Sequence, residues 1–384
     1  MHQTGLNYHD LLVAALGSGG NFQAFIDGYF ANKYNVKSWD DFTFDVAPMM
    51  NYTYQDFQKE LKVTCMATIV NPDSKAKESS TEGFDLLSGT IPTLSKVFTR
   101  DAKEVRDLMA ISMMQANSTA AVAISQLYDK AESMLGAHVN SISYFRNQMM
   151  SLGQLTTSAA NNPGGLQNIT FSAQIPVANT TTKTSTAAWW TSAAHTTEGS
   201  TSDPVADMQA KVRQLNNIGV NDVTVEVDSL TLEDVLGHSK VITKVGYNAS
   251  ITIQTDAGAL AVGTNMDIDA RQAALGRIIK ATIKPINHIA AVETWSKTTM
   301  APVKTQIRSF AADRLIFRPS GNAGTIKHVL PILPASGTIA RYFNGSLVMR
   351  VYSDINTNVQ YFNTDQAVLP VINKPKYFYR LVVV

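Results

Sequence analysis

The chain has 384 residues, 45% hydrophobic and only 16% charged, against about 25% charged in an ordinary soluble chain. A formal net charge of +1 argues against a protein whose main task is to grip nucleic acid by neutralising phosphates, which calls for a surplus of Lys and Arg. The single cysteine, Cys65, excludes an intramolecular disulfide and a cysteine-built zinc site, and fits a chain that folds in a reducing cytoplasm.

Low charge fits a protein that gives much of its surface to partners, because charged residues are depleted at interface cores. A well-packed monomer with a Ser/Thr/Asn surface fits it equally. The apolar stretch Leu11 to Leu16 is too short for a secretory leader and no Lys or Arg precedes it. No run approaches the roughly 18 to 20 apolar residues that span a bilayer. No leader or spanning segment is expected.

Residues 1–42, with Gly17, Gly19 and Gly20, read as an irregular arm that needs another surface to become ordered. Residues 43–98 read as extended structure. Two apolar runs, Phe57 to Val70 and Phe84 to Val97, flank a charged, Ser-rich tip from Asn71 to Glu82. That pattern predicts a long hairpin-like loop, with an ordinary surface loop as the other reading. Asp101 and Glu104 form a capping box for a helix reaching about Met114.

The strongest helix follows over about 119–153. Ile124, Leu127, Ala131, Met134, Leu135, Val139, Ile142, Phe145 and Met149 recur at three- and four-residue steps, and Gly153 closes it. Its methionines read as core rather than a cofactor site. Asn168 to Val177 reads as a strand in a polar segment where Trp189 and Trp190 stand out, either as local packing or as an interface anchor. Asp203 and Pro204 open the next helix, and Gly219 ends it. Asn221 to Val227 predicts a strand, Thr231 to Leu236 a short helix capped by Thr231, and Asp267 to Lys280 a further helix, followed by strands through Ile283 and Ile289. The remainder is strand-rich: Ala312 to Arg318, Ile339 to Phe343, Ser346 to Tyr352, Val359 to Phe362 and Tyr377 to Val384. A terminal run of valines is expected to pair in a sheet. The fold class is α+β.

No constellation for catalysis emerges. None of the histidines sits in a zinc-protease or other close metal-ligand spacing, and there is no nucleophile elbow, phosphate loop or dinucleotide fingerprint. His138 reads as helix packing, His195 lies in a polar loop, and Cys65 reads as buried and inert. Asp203 and Asp207 read as helix-start carboxylates. No catalytic, cofactor or metal residue is assigned.

Several segments in order resemble one family. The helix end from Arg146 through Leu152, Gly153, Gln154 and Leu155 is similar to a spine helix running into a glycine turn. Trp189 and Trp190 followed by Ser202 to Met208 resemble a Trp then Asp-Pro-Ile-Ala-Asp segment. Leu315 to Gly321 with Gly324 resembles a Pro-x-Gly stretch, and Ala367 to Pro375 with the final valines a Leu-Pro-Val ending. The chain thus resembles major capsid proteins of tailed bacteriophages with the Hong Kong 97-like fold, most narrowly the phage lambda capsid protein E family. Residues 220 to 300 carry no strong signature of it.

The resemblance implies a map and a role. Residues 1–42 would be the N-arm and 43–98 the E-loop. Residues 99–220 with 330–384 would form the peripheral domain around the spine helix, and 221–329 the axial domain. The chain would self-assemble as hexamers and pentamers into an icosahedral shell enclosing double-stranded DNA, in the virion and after assembly in the host cytoplasm. It would be a structural protein, not an enzyme, without cofactors or membrane contact. Its partners would be itself, packaged DNA held nonspecifically, and separate scaffolding, portal and decoration proteins. Lys75, Lys77, Trp189 and Trp190 are the candidate intersubunit contacts. An encapsulin-type nanocompartment, or a tail or adhesin protein suggested by the Thr/Asn/Ser-rich middle, stays open as an alternative.

Overall fold

The computed structural model describes residues 39, 41–59, 84–100, 119–163, 165–189, 201–249, 255–296, 301–331, 338–342, 346–354 and 359–383. The expected N-arm before Trp39, the helix at 101–114, the loop tip at 71–82, Cys65, Trp190 and His195 lie outside them. The described residues include helices α1 (Thr119–Leu152), α2 (Pro204–Asn217), α3 (Ser229–Gly237), α4 (Ser239–Ala249), α5 (Asp256–Asn265) and α6 (Ile268–Ile279). At 1.5 Å per residue α1 is about 51 Å long. Gly153 ends it at φ +73°, a left-handed conformation that glycine adopts at no steric cost. The chain divides into two units, with α1 contributing residues up to Ser143 to the first and from Tyr144 to the second.

The first unit draws on Met1–Tyr54, Thr90–Ser143 and Thr325–Val371. Its main sheet runs in the order Phe42–Phe44, Gly324–Val329, Val359–Ile372, Leu347–Asp354, Thr338–Tyr342, and Thr93–Arg100 also pairs with Val359–Ile372. The residues from Tyr361 to Gln366 alternate between half-buried and buried, so one face of the strand meets a core; from Ala367 to Ile372 all are buried. Met134, Leu135, Val139 and Ile142 of α1 are core residues of this unit. The stripe expected from the sequence is therefore present over this stretch.

The second unit draws on Gln55–Gly89, Tyr144–Gly324 and Ile372–Val384. Its sheet runs Thr180–Lys183, Tyr379–Val383, Arg314–Pro319, Val223–Asp228, Thr282–Ile286, parallel at its two outer pairs and antiparallel inside. The terminal valine run pairs as expected, with Leu381 and Val383 fully buried. Val225, Val227, Phe317 and Leu381 form one core with Val205, Met208, Val212 and Leu215 of α2 and Leu275 and Ile279 of α6.

Two readings need correction, and three elements carry no reading. Asn168 to Val177 is a strand only over Thr170–Ser172, because Asn168 and Gln174 take positive φ of 59° and 56° and break the extended run. The helix expected from Thr231 starts at Ser229. Its cap is Asp228, whose carboxylate accepts from the Leu230 N–H, while Thr231 is buried and its Oγ1 accepts from the Asp313 N–H. Helices α4 and α5 and the strand Ala301–Arg308 were not read from the sequence at all.

Candidate functional site

Side-chain chemistry in the second unit concentrates in two polar clusters, one partly and one fully buried. The first sits where α2 begins. Asp203 caps α2 by accepting from the Ala206 N–H at 3.0 Å, and Pro204 occupies the first turn, as the sequence predicts. Lys244 of α4 lies 3.0 Å from the Asp203 carboxylate, which, despite partial burial, is held below its ordinary range by the Ala206 N–H and Lys244. Beside it, Ser202 Oγ and His238 Nε2 are 2.7 Å apart, at 1% and 0% exposure.

A Ser–His pair at that distance is the geometry of an activated nucleophile. Two facts argue against that role here. The Lys240 N–H donates to His238 Nδ1 at 3.3 Å, a contact that favours the tautomer with its ring proton on Nε2, facing Ser202. A base would need that nitrogen's lone pair. Both groups are also sealed from solvent, and Lys240 Nζ closes the cluster on the Ser202 carbonyl. The cluster fastens the start of α2 to the start of α4.

The second cluster fastens the end of α1. Glu226 Oε1 accepts from Arg146 at 2.5 Å and from Arg318 at 2.7 Å, with all three side chains buried. Burial alone would raise the Glu226 carboxyl, but the two guanidinium groups overcome it and hold the pKa well below the ordinary carboxylate range. Next to it Asn147 donates to Ser309 Oγ at 2.7 Å, and Ser309 Oγ donates to the His288 carbonyl at 2.9 Å. Arg308 pairs with Asp228 at 2.8 Å. The periodic stripe placed Phe145 inward at this point; Phe145 is half-buried, and Arg146 and Asn147 are fully buried. No local pattern could signal this, because the partner of Arg146 lies eighty residues onward.

Trp189 is 1% exposed and donates its indole N–H to Asp207 at 3.0 Å, so its ring is held within this chain's own core. Asp207 also pairs with Lys183 at 2.7 Å. Trp190, Lys75 and Lys77 lie outside the described residues. His138, in the first unit, is a buried packing residue bonded to Thr364 Oγ1 at 2.9 Å. Among the described residues no group of three or more His, Cys, Asp or Glu could hold a metal ion, and no helix is long and apolar enough to cross a membrane.

What the described surface does offer is extended elements. Thr53–Lys59 and Phe84–Thr90 pair as a two-stranded sheet at the feet of the predicted loop, and Gln174 bonds the Ser88 carbonyl at 2.6 Å. Ile289–Ser296 and Ala301–Arg308 form a second two-stranded ribbon. Val46 and Met50 are almost wholly exposed.

Residues 39–383 match the family described as phage major capsid protein E. No curated protein matches the chain. Among solved structures, the chain is similar to a phage-related protein from Bordetella bronchiseptica RB50, at 12% identity and a TM-score of 0.43 over 88% of this chain and 90% of that one. It is similar to the mature capsid of bacteriophage PhiM1 at 10% identity and a TM-score of 0.44, covering 91% and 87%. It is also similar to the capsid of cyanophage P-SCSP1u at 12% identity and a TM-score of 0.44, covering 90% and 87%.

Proposed function

The chain belongs to the phage major capsid protein E family, and from that membership we infer how its parts serve a phage head. It is the capsid subunit, a structural component of the virion. The observation that carries this is the family match, which leaves little of the chain unaccounted for.

In the finer reading, copies form hexamers and pentamers that close an icosahedral shell around double-stranded DNA, assembled in the host cytoplasm with separate scaffolding, portal and decoration proteins. Rings of one subunit form when a surface patch meets a different patch head-to-tail with a closing rotation. Residues 1–42 act as the N-arm and 43–98 as the E-loop of a Hong Kong 97-like subunit. Residues 99–220 with 330–384 act as its peripheral domain and 221–329 as its axial domain. Lys75, Lys77 and Trp190 are the side chains we assign to contacts between subunits. The net charge of +1 supports weak, nonspecific contact with DNA.

Negative-stain microscopy of the purified full chain tests the reading. Closed shells of uniform diameter are the expected result. Fibres or dispersed monomers under conditions that keep the chain folded would overturn it.

A further inference from the structure

His328, on the strand Gly324–Val329, is 0% exposed, and among the described residues neither of its ring nitrogens has a hydrogen-bond partner. The buried rings of His138 and His238 differ: each engages a hydroxyl through Nε2. A buried nitrogen without a partner costs free energy, so a titratable ring is held here at a loss that an apolar side chain would avoid.

The ring lies beside a strap. Residues 42–49 run along the edge of the first unit's main sheet, next to Gly324–Val329. The Asp45 N–H donates to the Ile326 carbonyl at 3.0 Å, and the Met49 N–H to the His328 carbonyl at 2.8 Å. Adjacent residues of a strand point to opposite faces, so the strap is fastened on both. On one face Lys327 pairs with Asp45 at 2.7 Å. On the other the Phe44 ring meets the His328 ring edge-on, with centroids 5.9 Å apart, and Trp39 meets Phe44 in the same way. Residues 46–48 are exposed, so the strap hangs on few groups, and His328 touches it through both ring and backbone.

We propose that His328 is an acid-sensitive latch: on taking up a proton it releases the strap 42–49 from the sheet edge while the rest of the unit stays folded. A neutral ring is tolerated against Phe44. A charged ring there, without acceptor or water, is not. Burial lowers the ring's pKa, and only the Ile326 backbone and Asp45 act in the other direction. Asp45 is committed to Lys327; despite burial, that lysine and the Val46 and Ala47 N–H groups hold its carboxyl below the ordinary range, so it stays charged while the histidine titrates. Asp41, on the strap, does not act on the ring. On the neighbouring elements Asp365 pairs with Arg350, and His138 bonds Thr364. Release frees a ring that binds a proton more readily than the held one, so the strap's hold weakens as pH falls below about 6.5, the ordinary histidine value. The latch acts within one chain and does not require a shell.

Hydrogen exchange of the full chain tests this, read as protection factors so that the intrinsic pH dependence of exchange is removed. Between about pH 7.5 and about pH 5 the amides of Asp45 and Met49 should lose at least about ten-fold in protection. At the lower pH the strand Leu347–Asp354 of the same sheet should remain at least about ten-fold better protected than those two amides, because the strap opens alone. His328→Phe keeps a buried ring and removes the titration, and in it the two amides should keep their protection at both pH values. Unchanged protection in the unaltered chain, equal protection of the strap and Leu347–Asp354 at the lower pH, or a fall that survives in His328→Phe would each overturn the proposal.

A second measurement serves if His328→Phe fails to fold. The pH at which the strap of the unaltered chain loses protection identifies the titrating group. A fall that sets in below about pH 6.5 is a histidine's; one that sets in only below about pH 4.5 is a carboxylate's, and would overturn the latch by assigning the response to Asp45. His138→Gln removes the titration of the other buried histidine described in this unit, and the strap's fall should persist in it. Its disappearance there would place the response on His138 and would also overturn the latch.

Discussion

Arg146, near the end of α1, meets Glu226, on the strand Val223–Asp228, at 2.5 Å with both side chains at 0% exposure. All six residues of that strand are buried, so the carboxylate has no water to turn to. Arg318, on the adjacent strand, supplies the second cation at 2.7 Å. The arrangement ties a long helix to a sheet through one acid shared by two bases. Removing one member of such a buried group costs more than the group contributes, because the others are left as uncompensated charge.

Glu226→Gln leaves two buried guanidinium groups facing a neutral amide, and is expected to cost about 3–5 kcal/mol. Arg146→Met leaves Glu226 paired with Arg318, and should cost less, about 1–3 kcal/mol. Because the Glu226 carboxyl titrates below its ordinary value, its stabilising share is present above the unfolded pKa and lost as pH falls below it. Denaturant unfolding of both variants at neutral pH checks the order. A larger loss for Arg146→Met would mean that Arg318 does not hold the acid.

His138 gives the first unit a pH dependence of its own. Burial drives its pKa from 6.5 down to about 4, and the nearby charge of Lys96 adds to this. Between those values the unfolded chain binds a proton that the folded chain refuses. Stability therefore falls as pH drops from about 6.5 to about 4, by about 3 kcal/mol in total, and His138 adds nothing further below that. His138→Gln keeps a polar group near Thr364 without the titration. Unfolding free energies at several pH values should show a shallower slope for the variant across that window, and an unchanged slope would refute the assignment.

Helices α4 and α5 approach through glycine. A Cβ at Gly246 would lie 1.9 Å from the Ala259 carbonyl oxygen, and one at Gly263 would lie 2.2 Å from that of Ile242. Backbone cannot step aside as a side-chain tip can. Gly246→Ala and Gly263→Ala should each cost about 1–3 kcal/mol. Combined, they should cost less than the sum, because the first substitution already separates the helices. Thermal melts of the two single variants and the double variant measure the coupling.

These glycines also explain what was illegible. Helix α2 announces itself through Asp203 and Pro204, and α1 through its apolar period and Gly153. Helix α5 has Ala259 and Gly263 as its buried residues, so its contact is made by small residues and backbone rather than a stripe of large side chains. Arg146 escaped for the opposite reason: a charge reads as surface until its partner is known, and Glu226 is remote in sequence. The sheet of the second unit joins Thr180–Lys183 and Tyr379–Val383 to three strands between Val223 and Pro319. Such pairing between distant segments leaves no trace in any local window. The surfaces proposed for assembly were legible as composition, a polar tip between two apolar runs, because that contrast is local.

That tip makes the sharpest test of the proposed E-loop. Residues 71–82 carry Asp73, Lys75, Lys77, Glu78 and Glu82 among serines, a composition with too little apolar surface to contribute to a core. Its strand feet, Thr53–Lys59 and Phe84–Thr90, pair with each other whether or not the tip reaches a neighbour. Replacing 71–82 by a short Gly/Ser turn shortens the loop and, by the slow growth of closure entropy with length, should shift unfolding by no more than about 1 kcal/mol. If the tip bridges subunits, the variant folds but gives few or no closed shells. Shells formed at the unaltered yield would remove the tip from assembly and leave the two lysines, Lys75 and Lys77, without the role proposed for them.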